Sequence, residues 1–281
     1  MRDAADPIAI ALKEDIGAGD ITTATFVPVK RRAQARIVSR EQAILAGIET
    51  AADVFRRVDP KLRIRLLQKD GAALQRGDAV LEIQGAARSI LTAERVALNF
   101  LQRLSGIATL THQFVSALGN SHTKILDTRK TTPGLRALEK AAVIAGGGAN
   151  HRFDLNEMVL VKDNHLMATG FSDLAAAIAD LRKKRPKIRV ELEADRLDQV
   201  RGFVGIKGVD VILLDNMSPA LMREAVAMGK GTKIKFEASG GVTLKNVRRI
   251  ASTGVDYISV GALTHSARAI DLSLDFTNAE G

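Results

Sequence analysis

From residue 122 onward the chain alternates short apolar runs with helix-like segments at a steady pitch, and that rhythm leaves few folds open. Six runs read as strands: Lys124–Leu126, Met158–Val161, Ile188–Leu192, Val209–Leu214, Ile234–Phe236 and Val255–Val260. Helical patterns fill the gaps, as in Ser172–Lys184, Pro219–Met228 and Leu244–Ser252. Such alternation builds parallel βα units, hence an open α/β sheet or a barrel. The runs finish in polar residues: DTRK (127–130), KDNH (162–165), ELE (191–193), LDN (214–216), EASGG (237–241) and SVGA (259–262). In a βα barrel the C-terminal strand ends line one mouth, and a series of polar ends there favours barrel-like closure. The cations of that mouth are Arg129, Lys130 and Lys162, joined by His151 and Arg152 from the segment before the second strand. They outnumber the acids and suit a polyanionic substrate.

The first part of the chain has another rhythm. Ala33–Val38, Ile64–Leu67 and Ala79–Ile83 read as strands, and turn signals at Lys69-Asp70-Gly71 and Arg76-Gly77-Asp78 separate the last two. This is the pattern of a small α+β domain. Between about 89 and 118 the period becomes helical. Ala97, Leu101, Leu104 and Ala108 form an apolar stripe, Arg95, Asn99 and Gln102 lie on another face, and Gly106 is expected to break the segment into two helices.

Composition narrows the chemistry. The 281 residues contain no cysteine, which removes disulfides, thiolate metal sites and cysteine nucleophiles and fits a cytoplasmic protein. No window approaches the ~18 apolar residues of a membrane helix, and the apolar run Ile8–Leu12 is too short for a signal-peptide core. The net charge of +9 favours an anionic partner. Two basic runs, Lys30–Arg32 with Arg36 and Arg40, and Arg182–Arg185 with Lys187 and Arg189, contain no aromatic residue. They therefore lack the stacking platforms of single-strand binders and read as solvated faces.

Small residues at the last two strand ends, Ser239-Gly240-Gly241 and Val260-Gly261-Ala262, can expose backbone N–H groups beside a following helix N-terminus and seat a phosphate. The alternative is a tight βα turn. Gly146-Gly147-Gly148 reads as the C-cap of a helix over Leu135–Ala145. A Walker loop is excluded, because the glycine it needs at position 224 is a glutamate. The five histidines lack metal spacing: His112 and His122 read as surface or packing residues, while His165 and His265 fit a loop-orienting role or a ligand role equally.

The segments DTRKTTPGLRALEK (127–140), GGGANHR (146–152), VKDNH (161–165), LLDNM (213–217), EASGGV (237–242) and TGVDYISVGALTHS (253–266) together resemble the quinolinate phosphoribosyltransferase family. EDIGAGDITT (14–23) and TAERVALNFLQRLSGIAT (92–109) extend the resemblance over about residues 14 to 275. Asp154, where many bacterial members have glycine, and Ala141, where an aromatic is common, depart from the pattern.

The resemblance implies an N-terminal α/β sandwich domain over 1–115, with the C-terminal tail 267–281 a candidate to pack back onto it, and an open βα barrel of about six to seven strands over 116–266. It implies phosphoribosyl transfer from phosphoribosyl pyrophosphate to quinolinate with decarboxylation, aided by Mg²⁺. On this pattern Arg129, His151 and Arg152 contact the quinolinate carboxylates, and Arg95 reaches the same substrate from the partner subunit of a homodimer with shared active sites, with a hexamer as the higher assembly. Lys130 and Lys162 match lysines beside the pyrophosphate, with Thr128 in the same substrate set. Glu193 and Asp215 match the acids near the ribose and the metal-bound diphosphate, with Glu191 on the same strand face second to Glu193. Ser239, Gly240, Gly241, Val260, Gly261 and Ala262 hold the 5′-phosphate. Neither nucleic acid nor membrane is implied as a partner. A paralogue acting on another substrate would depart from the NHR and KDNH segments, both present here. Two other readings start from the residues alone. A nucleic-acid binder would use the +9 charge but leaves the strand ends unexplained. A βα-barrel lyase would use Lys130 or Lys162 as a Schiff-base lysine.

Overall fold

Every second residue of β1 (Arg32–Ser39) is small or branched, so the strand buries Ala33, Ala35, Ile37 and Ser39 on one face and leaves the other to its arginines. This strand is central to the first of two units into which the computed structural model divides. Unit one comprises residues 1–112, 131–147 and 263–281, and unit two comprises 113–130 and 148–262. The structure describes residues 6–162 and 173–278.

In unit one β1 lies between β5 (Ala79–Ala86) and β12 (Leu272–Asn278), with β3 (Arg63–Leu66) beyond β5, all antiparallel. Ile37 faces Leu81 on one side and Leu274 on the other, which sets the register. Two short strands, β2 (Ala43–Ile44) and β4 (Ala73–Leu74), make a separate pair. Three helices supply apolar faces to the same core: α1 (Pro7–Ile16), α3 (Ile48–Val58) with Ala51, Ala52, Val54 and Phe55 fully buried, and α4 (Ala87–Ala117) with Ile90, Ala93, Ala97 and Leu101. Acids of the N-terminal segment act as caps. Asp6 accepts from the N–H groups of Ile8 and Ala9, and Asp20 accepts from that of Thr23 at the start of α2 (Ile21–Phe26). The first basic run reads as a solvated face: Arg36 pairs with Glu82 at 2.8 Å and Arg40 with Asp275 at 2.7 Å.

Gly106 does not break α4, which runs unbroken for 31 residues. The glycine answers to a close approach instead. A Cβ at 106 would collide with the backbone carbonyl of Arg268, which lies directly against the helix. The buried carboxylate of Glu139, on α5 (Arg136–Ala145), accepts from Arg103 of α4 at 2.9 Å and from the N–H and hydroxyl of Thr132 at 3.1 and 2.7 Å. Arg103 also donates to the carbonyls of Thr264 and Ala267, so one ion pair ties three segments of this unit together.

Unit two is the predicted βα array. β6 (Lys124–Leu126), β7 (Met158–Val161), β8 (Arg189–Ala194), β9 (Val211–Asp215), β10 (Lys235–Ser239) and β11 (Tyr257–Ser259) form one parallel sheet in the order β6-β11-β10-β9-β8-β7. Each strand from β7 to β11 pairs with its sequence neighbour, and β6 joins β11. The opening therefore falls between β6 and β7, which is the order of an open βα barrel. Ala149 bridges Leu126 in parallel and exchanges backbone hydrogen bonds with Ile125 and Asp127, partly filling that gap. Around the sheet run α6 (Leu174–Lys184), α7 (Leu197–Val204), α8 (Pro219–Met228) and the short α9 (Val247–Ala251). A final turn, α10 (Ala262–His265), follows β11. Val190, Leu192, Ile212, Leu214 and Ala238 are fully buried, as continuous apolar runs in a parallel sheet require. Among the described residues no helix is long and apolar enough to cross a membrane.

Candidate active site

The polar ends of β6 to β11 gather at one edge of the sheet because all six strands run the same way. After β6, Asp127 is fully buried and its carboxylate accepts the backbone N–H of His151 at 2.8 Å. A strand-end acid that sequence reasoning did not single out thus anchors the Asn150–Arg152 segment. Thr128 accepts the N–H of Lys130 at 3.1 Å, shaping the turn that carries Arg129 and Lys130.

Both ring nitrogens of His151 engage protein atoms. Nδ1 accepts the Arg152 N–H at 2.8 Å, so Nε2 carries the hydrogen. Nε2 lies 3.0 Å from Glu191 Oε2 and 3.6 Å from Glu237 Oε1. The two carboxyls are almost wholly buried, and Ser259 donates its hydroxyl to Glu237. Glu191 Oε1 is buried without a hydrogen-bond partner. Burial pushes the Glu191 carboxyl up to about 7. Burial, then the neighbouring Glu191, pushes Glu237 up to about 8. The three side chains are close enough to hold a cation. The protonated Nε2, however, offers no lone pair, and the raised carboxyls point to a retained proton instead. Sequence reasoning ranked Glu191 second to Glu193 and did not choose Glu237. Its only signal for them was their place at positions 191 and 237 in the ELE and EASGG segments.

Arg152 is half-buried and donates to the Met158 carbonyl at 3.1 Å. Desolvation, followed by the like charge of Arg129, pulls its pKa down, with Glu191 opposing. Two guanidinium groups are therefore held near enough to repel each other, an arrangement that an anion would relieve.

On the neighbouring strand ends Lys162 Nζ stands 3.3 Å from Glu193 Oε2. Asp163, Asn164 and His165 of the KDNH segment lie outside the described residues. Glu193 and Asp215 end adjacent strands, both half-buried. They form no three-ligand cluster, among the described residues, of the kind seen at His151. Two oxygen donors suit a hard cation that keeps several positions for water and substrate. Ser239 ends β10, and Gly240 and Gly241 both take positive φ (92° and 58°). The helix after them starts only at Val247, so this part of the expected phosphate seat is loop, not helix N-terminus. Asn246 holds the loop by donating to the Gly241 carbonyl at 2.9 Å. Val260 donates its N–H to the Leu126 carbonyl at 2.9 Å. Gly261 follows it, and Ala262 opens α10. His265 Nδ1 and the Ser266 hydroxyl are 2.7 Å apart.

Arg95 belongs to unit one. It is exposed on α4 and has no hydrogen bond or ion pair among the described residues. Its charge acts on Glu94, whose carboxyl is pushed up by burial while Arg95 opposes.

Comparison with known proteins agrees with this geometry over most of the chain. Residues 20–105 match the N-terminal domain of quinolinate phosphoribosyl transferase, and residues 107–275 match the C-terminal domain. A Mycobacterium leprae protein named nicotinate-nucleotide pyrophosphorylase (carboxylating) is 43% identical over 277 residues, covering 97% of this chain and 96% of that protein. A Nicotiana tabacum protein named quinolinate phosphoribosyltransferase (decarboxylating) 2a is 42% identical over 282 residues, covering 94% of this chain and 80% of that one. The solved structure of NadC from Streptococcus pyogenes superposes with a TM-score of 0.90 at 40% identity, covering 96% of each chain.

Proposed function

The chain belongs to the quinolinate phosphoribosyltransferase family, and we infer that it converts quinolinate and phosphoribosyl pyrophosphate to nicotinate mononucleotide, pyrophosphate and CO₂, a step of NAD biosynthesis. The observation that carries this reading at the site is the mutually repelling pair Arg129 and Arg152, half-buried beside a strand end. A dicarboxylate would offset the like charges of this pair, and bidentate pairing would fix its ring orientation. His151 serves by holding the Arg152 backbone through Nδ1. Arg95, from the other subunit of a homodimer, completes the carboxylate contacts. Cytoplasmic residence fits the absence of cysteine.

The pyridine nitrogen attacks ribose C1, and the C1–O bond to pyrophosphate breaks with its electrons leaving on the pyrophosphate. The C2 carboxylate then departs as CO₂. Its bonding pair remains at C2 beside the pyridinium nitrogen until a proton arrives there. No protein nucleophile is needed, so positioning and electrostatics provide the catalysis. Lys130 and Lys162 offset the charge on the departing pyrophosphate, Lys162 being steered by Glu193. Thr128 shapes the Lys130 turn. Glu193 and Asp215 take the ribose hydroxyls and would hold Mg²⁺ through oxygen. When bound, that ion neutralises part of the diphosphate charge. Ser239, Gly240, Gly241, Val260, Gly261 and Ala262 offer backbone and hydroxyl donors to the 5′-phosphate.

The test is a product assay with purified protein, phosphoribosyl pyrophosphate and Mg²⁺, with quinolinate and nicotinate as parallel acceptors. Nicotinate mononucleotide with CO₂ from quinolinate, and little product from nicotinate, is expected. A folded protein that turns over neither, or prefers nicotinate, refutes the two-carboxylate reading.

A further inference from the structure

Asn216 is the one non-glycine residue with positive φ (52°) among the described residues, and it sits at the end of β9 directly after Asp215. Left-handed backbone is unfavourable for a side-chain-bearing residue, though least so for asparagine. Asn216 is also exposed, so no core packing compels the conformation. What it gains is visible in its contacts. Its N–H donates to the Ser239 carbonyl at 2.9 Å, and its side-chain amide donates to Asp215 Oδ2 at 2.9 Å. A carboxylate only accepts, so the amide nitrogen must face Asp215 and the amide oxygen must face away. That oxygen lies over Gly240, where a Cβ would overlap the Asn216 amide. Gly240 is thus doubly constrained, by its own positive φ and by the Asn216 side chain.

We propose that Asn216 is a positioning residue that sets the Asp215 carboxylate and the Gly240–Gly241 loop as one unit, so that the acid facing the ribose and the loop facing its 5′-phosphate meet the same sugar phosphate in register. The inference rests on the phosphoribosyl reading of this site. It goes beyond that reading by giving work to a side chain to which that reading assigns no substrate contact. The strained backbone then has a reason, since left-handed φ is what lets one side chain reach Asp215 and Gly240 together.

The experiment uses the whole protein and three variants: Asn216→Gly, Asp215→Asn and the double variant. Glycine accepts the backbone conformation without strain, so Asn216→Gly removes the amide while a retained cooperative thermal transition shows that the fold is kept. Ribose 5-phosphate and quinolinate are the calorimetric probes, and turnover is followed in parallel. Asn216→Gly is expected to weaken ribose 5-phosphate about tenfold, the effect of losing a hydrogen bond to a charged group, and to raise KM for phosphoribosyl pyrophosphate while quinolinate affinity holds. In the Asp215→Asn background the same change is expected to do much less, because no carboxylate remains to orient. Unchanged ribose 5-phosphate affinity in Asn216→Gly overturns the proposal. So does an undiminished effect in the Asp215→Asn background, or an equal loss for both probes. A wild-type protein that binds ribose 5-phosphate but makes no nicotinate mononucleotide refutes the phosphoribosyl reading alone; the coupling of Asn216 to Asp215 is then still decided by the calorimetry.

Discussion

His151, Glu191 and Glu237 bring three titratable side chains together within one site. Two carboxyls and an imidazole, nearly removed from water, are tolerable only if the carboxyls keep a proton, because an unpaired buried charge is costly. The sign of the pH effect follows. Glu237 rises from an ordinary 4.5 to about 8 and Glu191 to about 7, so between those values the folded chain binds more protons than the unfolded chain. Their contribution to stability is then fully present below about 4.5 and is lost as pH climbs through 7 and 8. Urea midpoints taken from pH 5 to 9 are expected to fall across that window. Glu237→Gln, which keeps the shape of the protonated acid, should flatten the decline. Identical pH slopes in the two proteins would mean that Glu237 is already ionised in the native state. Sequence reasoning could see His151 and Arg152 side by side. It could not see that the imidazole would turn toward two strands about 40 and 86 residues further on, because periodicity carries no information on which strand-interior acids meet.

At the scale of elements, the parallel array was legible because its signal repeats. Met158–Val161 and Lys124–Leu126 coincide with β7 and β6, and Pro219–Met228 coincides with α8. Proline and serine at the start of α8 are strong local stops that tertiary packing does not shift. Less legible were elements defined by partners far away. β12 pairs with β1 across more than 230 residues; its LSLDFTN sequence alternates apolar and polar residues, yet alternation alone does not name the partner strand, and the sequence offered only the tail 267–281 as a candidate to pack onto the first domain. Gly106 was misread for the same reason. Within a helix pattern a glycine suggests a break, yet here it makes room for the Arg268 carbonyl. The two effects oppose each other in Gly106→Ala. Alanine gains about 1 kcal/mol of helix propensity, while forcing a backbone carbonyl away from a packed helix costs about 1–3 kcal/mol. Backbone cannot swing aside as a side-chain tip can, so the clash is expected to win and the thermal midpoint to drop by several degrees. A midpoint at or above that of the wild type would show that residues 263–281 yield freely.

At the scale of the whole molecule, the proposal that Arg95 serves the site of a second copy can be tested directly. The cations Arg129, Arg152 and Lys162 belong to unit two, whereas Arg95 belongs to unit one and is exposed without a hydrogen bond or ion pair among the described residues. A cation used only for solubility tolerates replacement with little effect. A cation that completes another subunit's site does not, and closed twofold symmetry makes the exchange reciprocal. The two cases separate by complementation. Arg95→Ala and Lys162→Ala are each expected to be nearly inactive as pure proteins, the first lacking the donated arginine and the second lacking its own lysine. Mixed dimers place both defects in one site and leave the other site intact. After denaturation and joint refolding at equal amounts, half the dimers are mixed and each keeps one good site of two, so activity should return to about a quarter of the wild-type value. Recovery that follows mixing and disappears when the subunits are refolded separately would establish sharing across the dimer. If Arg95 instead serves the site of its own chain, every mixed dimer carries one defect in each site, and no activity returns however long the subunits exchange.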